Sequence, residues 1–370
     1  MDQERLALLA LHMTPGVGDY LFKQLISYCG SAEAVFQKPK GKLIKIPGVG
    51  EITANSIKEK SAFSNAEKEI RKSEKDGATL LFYMDKNYPS RLKNIEDAPA
   101  LIYFKGNANI ENVKCVGIVG TRQATEYGKE QTHKIIEQLI PHRPLIISGL
   151  AYGIDIQAHK HALQSDLQTV GVMGSGLDIM YPSAHREIAN KMIHHGALLT
   201  ENHYGTKPDA HNFPARNRII AGLCDALIIV EAAEKGGALI TADIANSYHK
   251  DVFAVPGNLG QNFSEGCNKL IKTQRAHLYN SVKDLEYIMN WTVEDGQTAI
   301  SAKQQTPDWS QFDREEKKIL RVLMEKSPIQ IDELTWRSEL SPGILASLLL
   351  NLEFKNAIES LPGKTYKLRT

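Results

Sequence analysis

From Val113 to Tyr279 the chain alternates short apolar runs with amphipathic segments. The runs KCVGIVG (Lys114–Gly120), PLIISG (Pro144–Gly149), TVGVMG (Thr169–Gly174), ALLTE (Ala197–Glu201), ALIIVEA (Ala226–Ala232), VFAVPG (Val252–Gly257) and AHLY (Ala276–Tyr279) read as buried strands. Between them lie helical patterns reaching Ile140 and Leu163, spanning Ala184–His194 and Ala215–Leu223, and starting at Leu239 and Glu265. Strand–helix alternation of this kind predicts an α/β domain with a doubly wound, mostly parallel sheet. Ligands of such sheets bind at the carboxyl ends of the strands, so informative residues are expected just after each apolar run. Two earlier strand-like runs, ATLLFYM (Ala78–Met84) and ALIYFKG (Ala100–Gly106), read as a connecting lobe.

Both ends of the chain have a different texture. Residues 1–71 read as short helices reversed twice by the same turn, TPGVG (Thr14–Gly18) and IPGVG (Ile46–Gly50). Glycines around a small apolar residue suit a helix-hairpin-helix, SAM-like arrangement that touches phosphates through backbone N–H groups, or a purely structural bundle. Only Lys23, Lys45 and Lys58 flank the turns. The α/β domain is assigned to residues 72–290. Residues 291–311 are polar without apolar periodicity and read as a linker. In residues 312–370 three helical patterns precede a hairpin, the order of a winged helix, the third helix opening on Ser341 and Pro342. That helix offers only Asn351, Lys355 and Asn356 to a DNA groove, so protein contact or stability is the better role for this domain.

Length and composition bound the function. At 370 residues the chain exceeds one usual core. Net charge is +1, from 44 basic and 43 acidic residues, so any affinity for nucleic acid must come from a local patch. Cys29, Cys115, Cys224 and Cys267 form no CxxC pair, which speaks against a disulfide framework or zinc knuckle. With no basic-then-apolar leader and no apolar run of membrane-spanning length, the expectation is a soluble cytoplasmic protein.

The strand ends carry the chemistry. After the first strand, GTRQATEYGKE places Gly120, Thr121 and Arg122 as a phosphate cradle with a charged clamp. It matches neither a Walker A loop nor GxGxxG, so ATP and NAD lose support and no cofactor is expected. SGLAYGID (Ser148–Asp155) follows the second strand, with Asp155 at the positive end of the next helix and Ser148 best read as a turn serine. GSGLDIMYP (Gly174–Pro182) follows the third, where Asp178 caps or bonds a neighbouring loop. The densest stretch is His211–Ala242. There Arg216, Asn217 and Arg218 are placed at the first turn of a helix with Phe213 just ahead, a combination fit for phosphates and stacked bases. A core Phe with two surface arginines fits the same residues.

Histidine spacing gives no metal motif: His159 and His161 are two apart, His194 and His195 adjacent. Glu201 and Glu231 close separate strands with no second acid near either. No catalytic residue, no metal and no enzymatic activity are therefore expected.

Taken in order, GTR…YG, SGLAYGID, GSGLDIMYP, GTKP…FPARNRIIAGL and VEAAEKGGALITA followed by VFAVPG resemble the DNA-processing protein A (DprA, or Smf) family, strongly over Val113–Asp284. The resemblance implies an extended Rossmann-like domain that binds single-stranded DNA, forms a homodimer and loads the RecA recombinase during natural transformation, without catalysis. Motif matching makes Arg122, Lys207, Phe213, Arg216, Asn217 and Arg218 the DNA-contacting candidates, with Gly120, Thr121 and Gly237 beside them. The family often has GSL where this chain has Gly237-Ala238-Leu239. Two rivals remain. A phosphoribohydrolase of the lysine-decarboxylase-like type would need an acid in its PGGxGTxxE loop, which EKGGALITA lacks, and a winged-helix transcription factor would prefer duplex DNA.

Overall fold

A computed structural model describes residues 2–112, 114–292, 312–325, 327–338, 340–355, 357–361 and 365–368. It divides into two compact units at about residue 293. The predicted linker falls, from residue 293 onward, outside the described residues.

The first unit opens with helices α1 (Gln3–His12), α2 (Asp19–Cys29), α3 (Ala32–Gln37), α4 (Lys40–Leu43), α5 (Glu51–Glu59) and α6 (Phe63–Asp76). The PGVG turns fall between α1 and α2 and between α4 and α5, with Gly18 and Gly50 as N-caps. Two of the flanking lysines are engaged in structure: Lys23 donates to the Ala98 carbonyl and Lys58 to the carbonyls of Phe36 and Lys38.

Then follow β1 (Thr79–Phe82), α7 (Ser90–Lys93), β2 (Leu101–Gly106), β3 (Cys115–Val119), α8 (Glu126–Leu139), β4 (Leu145–Gly149), α9 (Ile154–Gln164), β5 (Thr169–Val172), α10 (Arg186–His194), β6 (Gly196–Thr200), α11 (Asn212–Leu223), β7 (Ala226–Ile229), α12 (Gly237–Ser247), β8 (Asp251–Ala254), α13 (Glu265–Lys272), β9 (His277–Leu278) and α14 (Val282–Met289). All nine strands form one sheet in the order β1-β2-β6-β5-β4-β3-β7-β8-β9. From β6 to β9 every pairing is parallel, and β3, β4, β5 and β6 are buried throughout. Their runs are therefore apolar without alternation, because helices cover both faces. One face packs on α8, α9 and α14 through Ile135, Ile136, Ala158 and Leu285. The other packs on α11 and α12 through Ile219, Ile220, Ala238 and Ala242.

Two differences from the sequence reading matter. The two runs read as a connecting lobe are β1 and β2, which extend the main sheet, β2 pairing antiparallel with β6. Helix α6 runs past the expected boundary at residue 71, and the N-terminal helices share a core with the sheet: Leu9, Phe22 and Ile70 belong to the same buried cluster as Tyr103, Leu150, Met173 and Leu198. A boundary cut through that cluster would expose apolar surface on both sides.

The second unit holds α15 (Arg314–Glu325), β10 (Ile329–Gln330), α16 (Ile331–Ser338), α17 (Pro342–Phe354), β11 (Ile358–Leu361) and β12 (Thr365–Leu368), with a sheet ordered β10-β12-β11, a winged helix. Leu320, Leu334, Leu345 and Leu352 form its core. Lys355, one of the few candidate groove contacts, is committed to the buried Glu316 at 2.8 Å. Asn356 lies outside the described residues.

Candidate functional site

The strand order reverses between β3 and β7, since β4, β5 and β6 step one way from β3 and β8 and β9 step the other. At such a switch point the loops leaving adjacent strands diverge and open a crevice. An open cleft of about 700 Å³ lies there, walled by the loop after β3 (Gly120–Arg122), the start of α11 (Phe213–Asn217) and the turn Lys235–Ala238.

The loop after β3 is held by Glu231, just beyond the end of β7. Its carboxylate accepts from the Thr125 backbone N–H at 3.0 Å and from the Thr125 hydroxyl at 2.6 Å, while its carbonyl accepts from the Thr121 N–H at 2.7 Å. Gly128 follows from this arrangement, because a Cβ there would run into the Glu231 carboxylate. Gly153, at φ 78°, likewise lets the turn before α9 pass against the backbone of Thr121 and Arg122. The consequence corrects the phosphate-cradle reading of Gly120 and Thr121: the N-terminus of α8 already holds an anion, and it is the protein's own. Gly120 serves close packing, a Cβ there meeting Ile154 at 2.5 Å.

Arg122 is exposed on that loop, and its guanidinium lies 5.2 Å from the centroid of the Phe213 ring. Phe213 is half-buried and belongs to none of the hydrophobic clusters; its ring passes close to Gly174, and Tyr181 lies 5.8 Å away with the rings tilted by 38°. The structure thus favours the surface reading of Phe213 over the core one.

Helix α11 begins at Asn212, earlier than expected, so Arg216, Asn217 and Arg218 fall beyond its first turn. They separate in space. Arg216 is buried at the back of the cleft, donating to the Val172 carbonyl at the end of β5 and to Asn217 Oδ1 at 3.1 Å. Asp155, buried at the start of α9, supplies the opposing charge; burial pushes its carboxyl up, and Arg216 counters that. Asn217 lines the cleft. Arg218 does not: it turns toward the N-terminal helices and pairs with Glu201, Asp19 and Asp97, donating also to the Asp97 carbonyl at 2.7 Å. A helix turns about 100° per residue, so side chains two apart point to nearly opposite sides. Arg218 is therefore a structural ion-pair residue.

Lys207 is exposed on the loop that reaches the cleft through Pro208, and Gly237 opens α12 at the cleft rim, where a Cβ would meet nothing within 4 Å. Sequence reasoning missed Lys235, exposed on the rim, and the tyrosines Tyr152 and Tyr181. Their signal was available, since each sits in a glycine-containing loop that follows a strand. Ser148 lies within β4 and not in the turn after it, buried and donating to the Ile118 carbonyl at 2.6 Å. Asp178 bonds a neighbouring loop, accepting from the Gly205 N–H at 2.9 Å. His159 is buried between Thr169 Oγ1 and the Gly149 carbonyl, and burial lowers it to about 4. Among the described residues no cluster of His, Cys, Asp and Glu could hold a metal, and no helix is long and apolar enough to cross a membrane.

A Rossmann-like sheet with an open switch-point cleft, rimmed by a cation lying on an aromatic ring, places the chain among α/β proteins with a strand-end crevice. The family model described as DNA recombination-mediator protein A matches residues 79–290, and that of the DprA winged helix domain matches residues 301–364. The chain belongs to the DNA recombination-mediator protein A family. It is 30% identical to Protein Smf of Synechocystis over 100% of both chains, and 40% identical over 202 residues to the DNA processing protein DprA of Streptococcus pneumoniae, covering 55% of this chain and 71% of that one. Among solved structures, the Streptococcus pneumoniae protein superposes with a TM-score of 0.69 at 31% identity, covering 80% of this chain and 100% of that one. A Helicobacter pylori DNA processing protein A, described for its single-stranded DNA binding mode, superposes with a TM-score of 0.53 at 28% identity, covering 58% and 97%.

Proposed function

We propose that this protein binds single-stranded DNA in the cleft between β3 and β7 and acts as a recombination mediator. The observation that carries the reading is Arg122 lying on the half-buried Phe213 ring at the cleft mouth. A base stacks on the ring, and guanidinium takes the adjoining phosphate. Lys207 and Lys235 extend the cationic rim, and neither has an ion-pair partner among the described residues. The Helicobacter pylori relative's described single-stranded DNA binding supports the same ligand here.

The finer roles follow the family: a cytoplasmic homodimer that loads the RecA recombinase onto incoming DNA during natural transformation, by binding and without catalysis. The EKGGALITA turn, Glu234–Ala242, lacks the closing Glu of the PGGxGTxxE loop, which supports this against the phosphoribohydrolase alternative. The test is a shift assay with poly-dT at several salt concentrations. With about three cationic contacts the slope of log affinity on log salt is about −2, without added metal or ATP. A flat slope, or release of ribose phosphate from AMP, overturns the reading. Light scattering of the chain ending at Asn290 tests the dimer, which is expected to persist.

A further inference from the structure

Beyond Phe213 the aromatic surface does not stop. Tyr181 and Tyr152 are 47% and 50% exposed, although each ring is held in place. Tyr181 leans on Phe213, while Tyr152 sets its ring against His185 at 4.9 Å, and His185 is itself buried and bonded to the Leu150 carbonyl at 2.7 Å. Neither tyrosine hydroxyl has a hydrogen-bond partner among the described residues, so internal bonding does not explain why the rings are held at the surface. Between Tyr152, Tyr181 and Phe213 lies a slot of only about 30 Å³. That is room for a couple of waters and not for a base, so a ligand would lie on the rings instead of entering between them.

Two exposed cations lie by His185, the residue under the Tyr152 ring. Lys160, exposed on α9, is close enough for its charge to act on His185, and Arg186 is the exposed first residue of α10. Neither forms an ion pair among the described residues, while the nearby Glu187 is engaged by Lys191 at 2.8 Å. Rings fixed at a surface and cations left unpaired beside them are the two components of a track for single strands.

We propose that the single-stranded DNA site continues past Phe213 onto Tyr181 and Tyr152, which stack the next bases, with Lys160 and Arg186 meeting their phosphates. This rests on the reading that the cleft binds single-stranded DNA. It is tested with the full chain and dT oligonucleotides of about 3 and about 12 nucleotides, lengths that fill the cleft alone or the whole track. Tyr152→Ala is expected to weaken the longer oligonucleotide about five- to tenfold with an unchanged salt slope, and to leave the shorter one as in the wild type. Tyr152→Phe keeps wild-type binding of both, and Lys160→Ala lowers the salt slope for the longer one by about 0.7. Cross-linking with 5-iodouracil in the longer oligonucleotide is expected at both Phe213 and Tyr152. Wild-type binding of both lengths by Tyr152→Ala, with cross-links at Phe213 alone, refutes the extension and leaves the cleft reading standing. Equal weakening of both lengths refutes it too, since it marks a general structural role. Failure of the wild type to bind either oligonucleotide removes the cleft reading itself.

Discussion

Arg218→Ala separates a structural arginine from a DNA-contacting one, and its cost depends on pH in a direction the structure fixes. The side chain is 14% exposed and faces Glu201, Asp19 and Asp97. Removing it strips Glu201 of its paired cation and leaves it against Asp19 and Asp97, on which Lys23 still acts, a loss of about 3–5 kcal/mol when a buried pair is broken from one side. Burial already pushes Glu201 up to about 7, with Arg218 opposing and Asp19 and Asp97 adding to the rise. Without Arg218 it rises further. The rise costs up to about 1.4 kcal/mol at pH 8, levelling off once the group is protonated there, and it costs nothing at pH 5, where the group is already protonated. The variant is therefore expected to lose roughly 10 °C of melting temperature at pH 8 and clearly less at pH 5. Its folded fraction should bind poly-dT with the wild-type salt slope. Arg122→Ala is the mirror image: unchanged melting, weaker binding and a slope flatter by about 0.7. A wild-type melting temperature for Arg218→Ala, together with a flattened slope, would return Arg218 to the DNA site and refute the ion-pair argument.

Phe213→Ala is expected to cost about 1–3 kcal/mol of single-strand affinity at constant salt slope, while its stability loss stays below the roughly 3–5 kcal/mol of a buried Phe; calorimetry and shift assays together check both. Gly128→Ala drives a methyl into the Glu231 carboxylate and breaks the Thr125 cap, so about 2–4 kcal/mol of stability should be lost in denaturant titration. For His159 the folded value of about 4 lies below the ordinary 6.5, so the native state binds fewer protons between them. Its contribution, up to about 3 kcal/mol, is present above pH 6.5 and is lost as pH falls toward 4; His159→Gln should flatten that acid limb in melting curves.

The parallel sheet was legible because strands buried on both faces leave continuous apolar runs such as PLIISG, and all such runs from Lys114 onward became strands. The strands β1 and β2 at one end of the sheet were read as a lobe because the antiparallel pairing of β2 to β6 is a long-range contact that a local pattern does not encode. The site was legible in part for a related reason. Motif order located the loops that meet at the cleft, but not which way each side chain points. Arg216 and Arg218 are separated by a single residue and end on different sides of α11, one behind the cleft and one among the N-terminal helices. Glu231 was equally hidden, since its partner Thr125 lies far away in sequence.

The N-terminal helices belong to the site's mechanics even though none of their residues lines the cleft. Lys72 of α6 binds Asp178 at 2.7 Å, and Asp178 also accepts the Gly205 N–H, so one carboxylate ties the loop bearing Tyr181 to the loop bearing Lys207. Glu69, one turn earlier on α6, accepts from the Tyr103 hydroxyl and from the Tyr204 N–H, both at 2.8 Å. Asp19 of α2 accepts the Ala100 N–H at 2.9 Å and faces Arg218, which fixes the far side of α11. The bonds to Asp178, Tyr204 and Arg218 each end on a loop or helix that also carries a cleft residue. A rigid platform lowers the ordering cost of gripping a flexible strand, which accounts for the N-terminal helices being packed into the same core as the sheet.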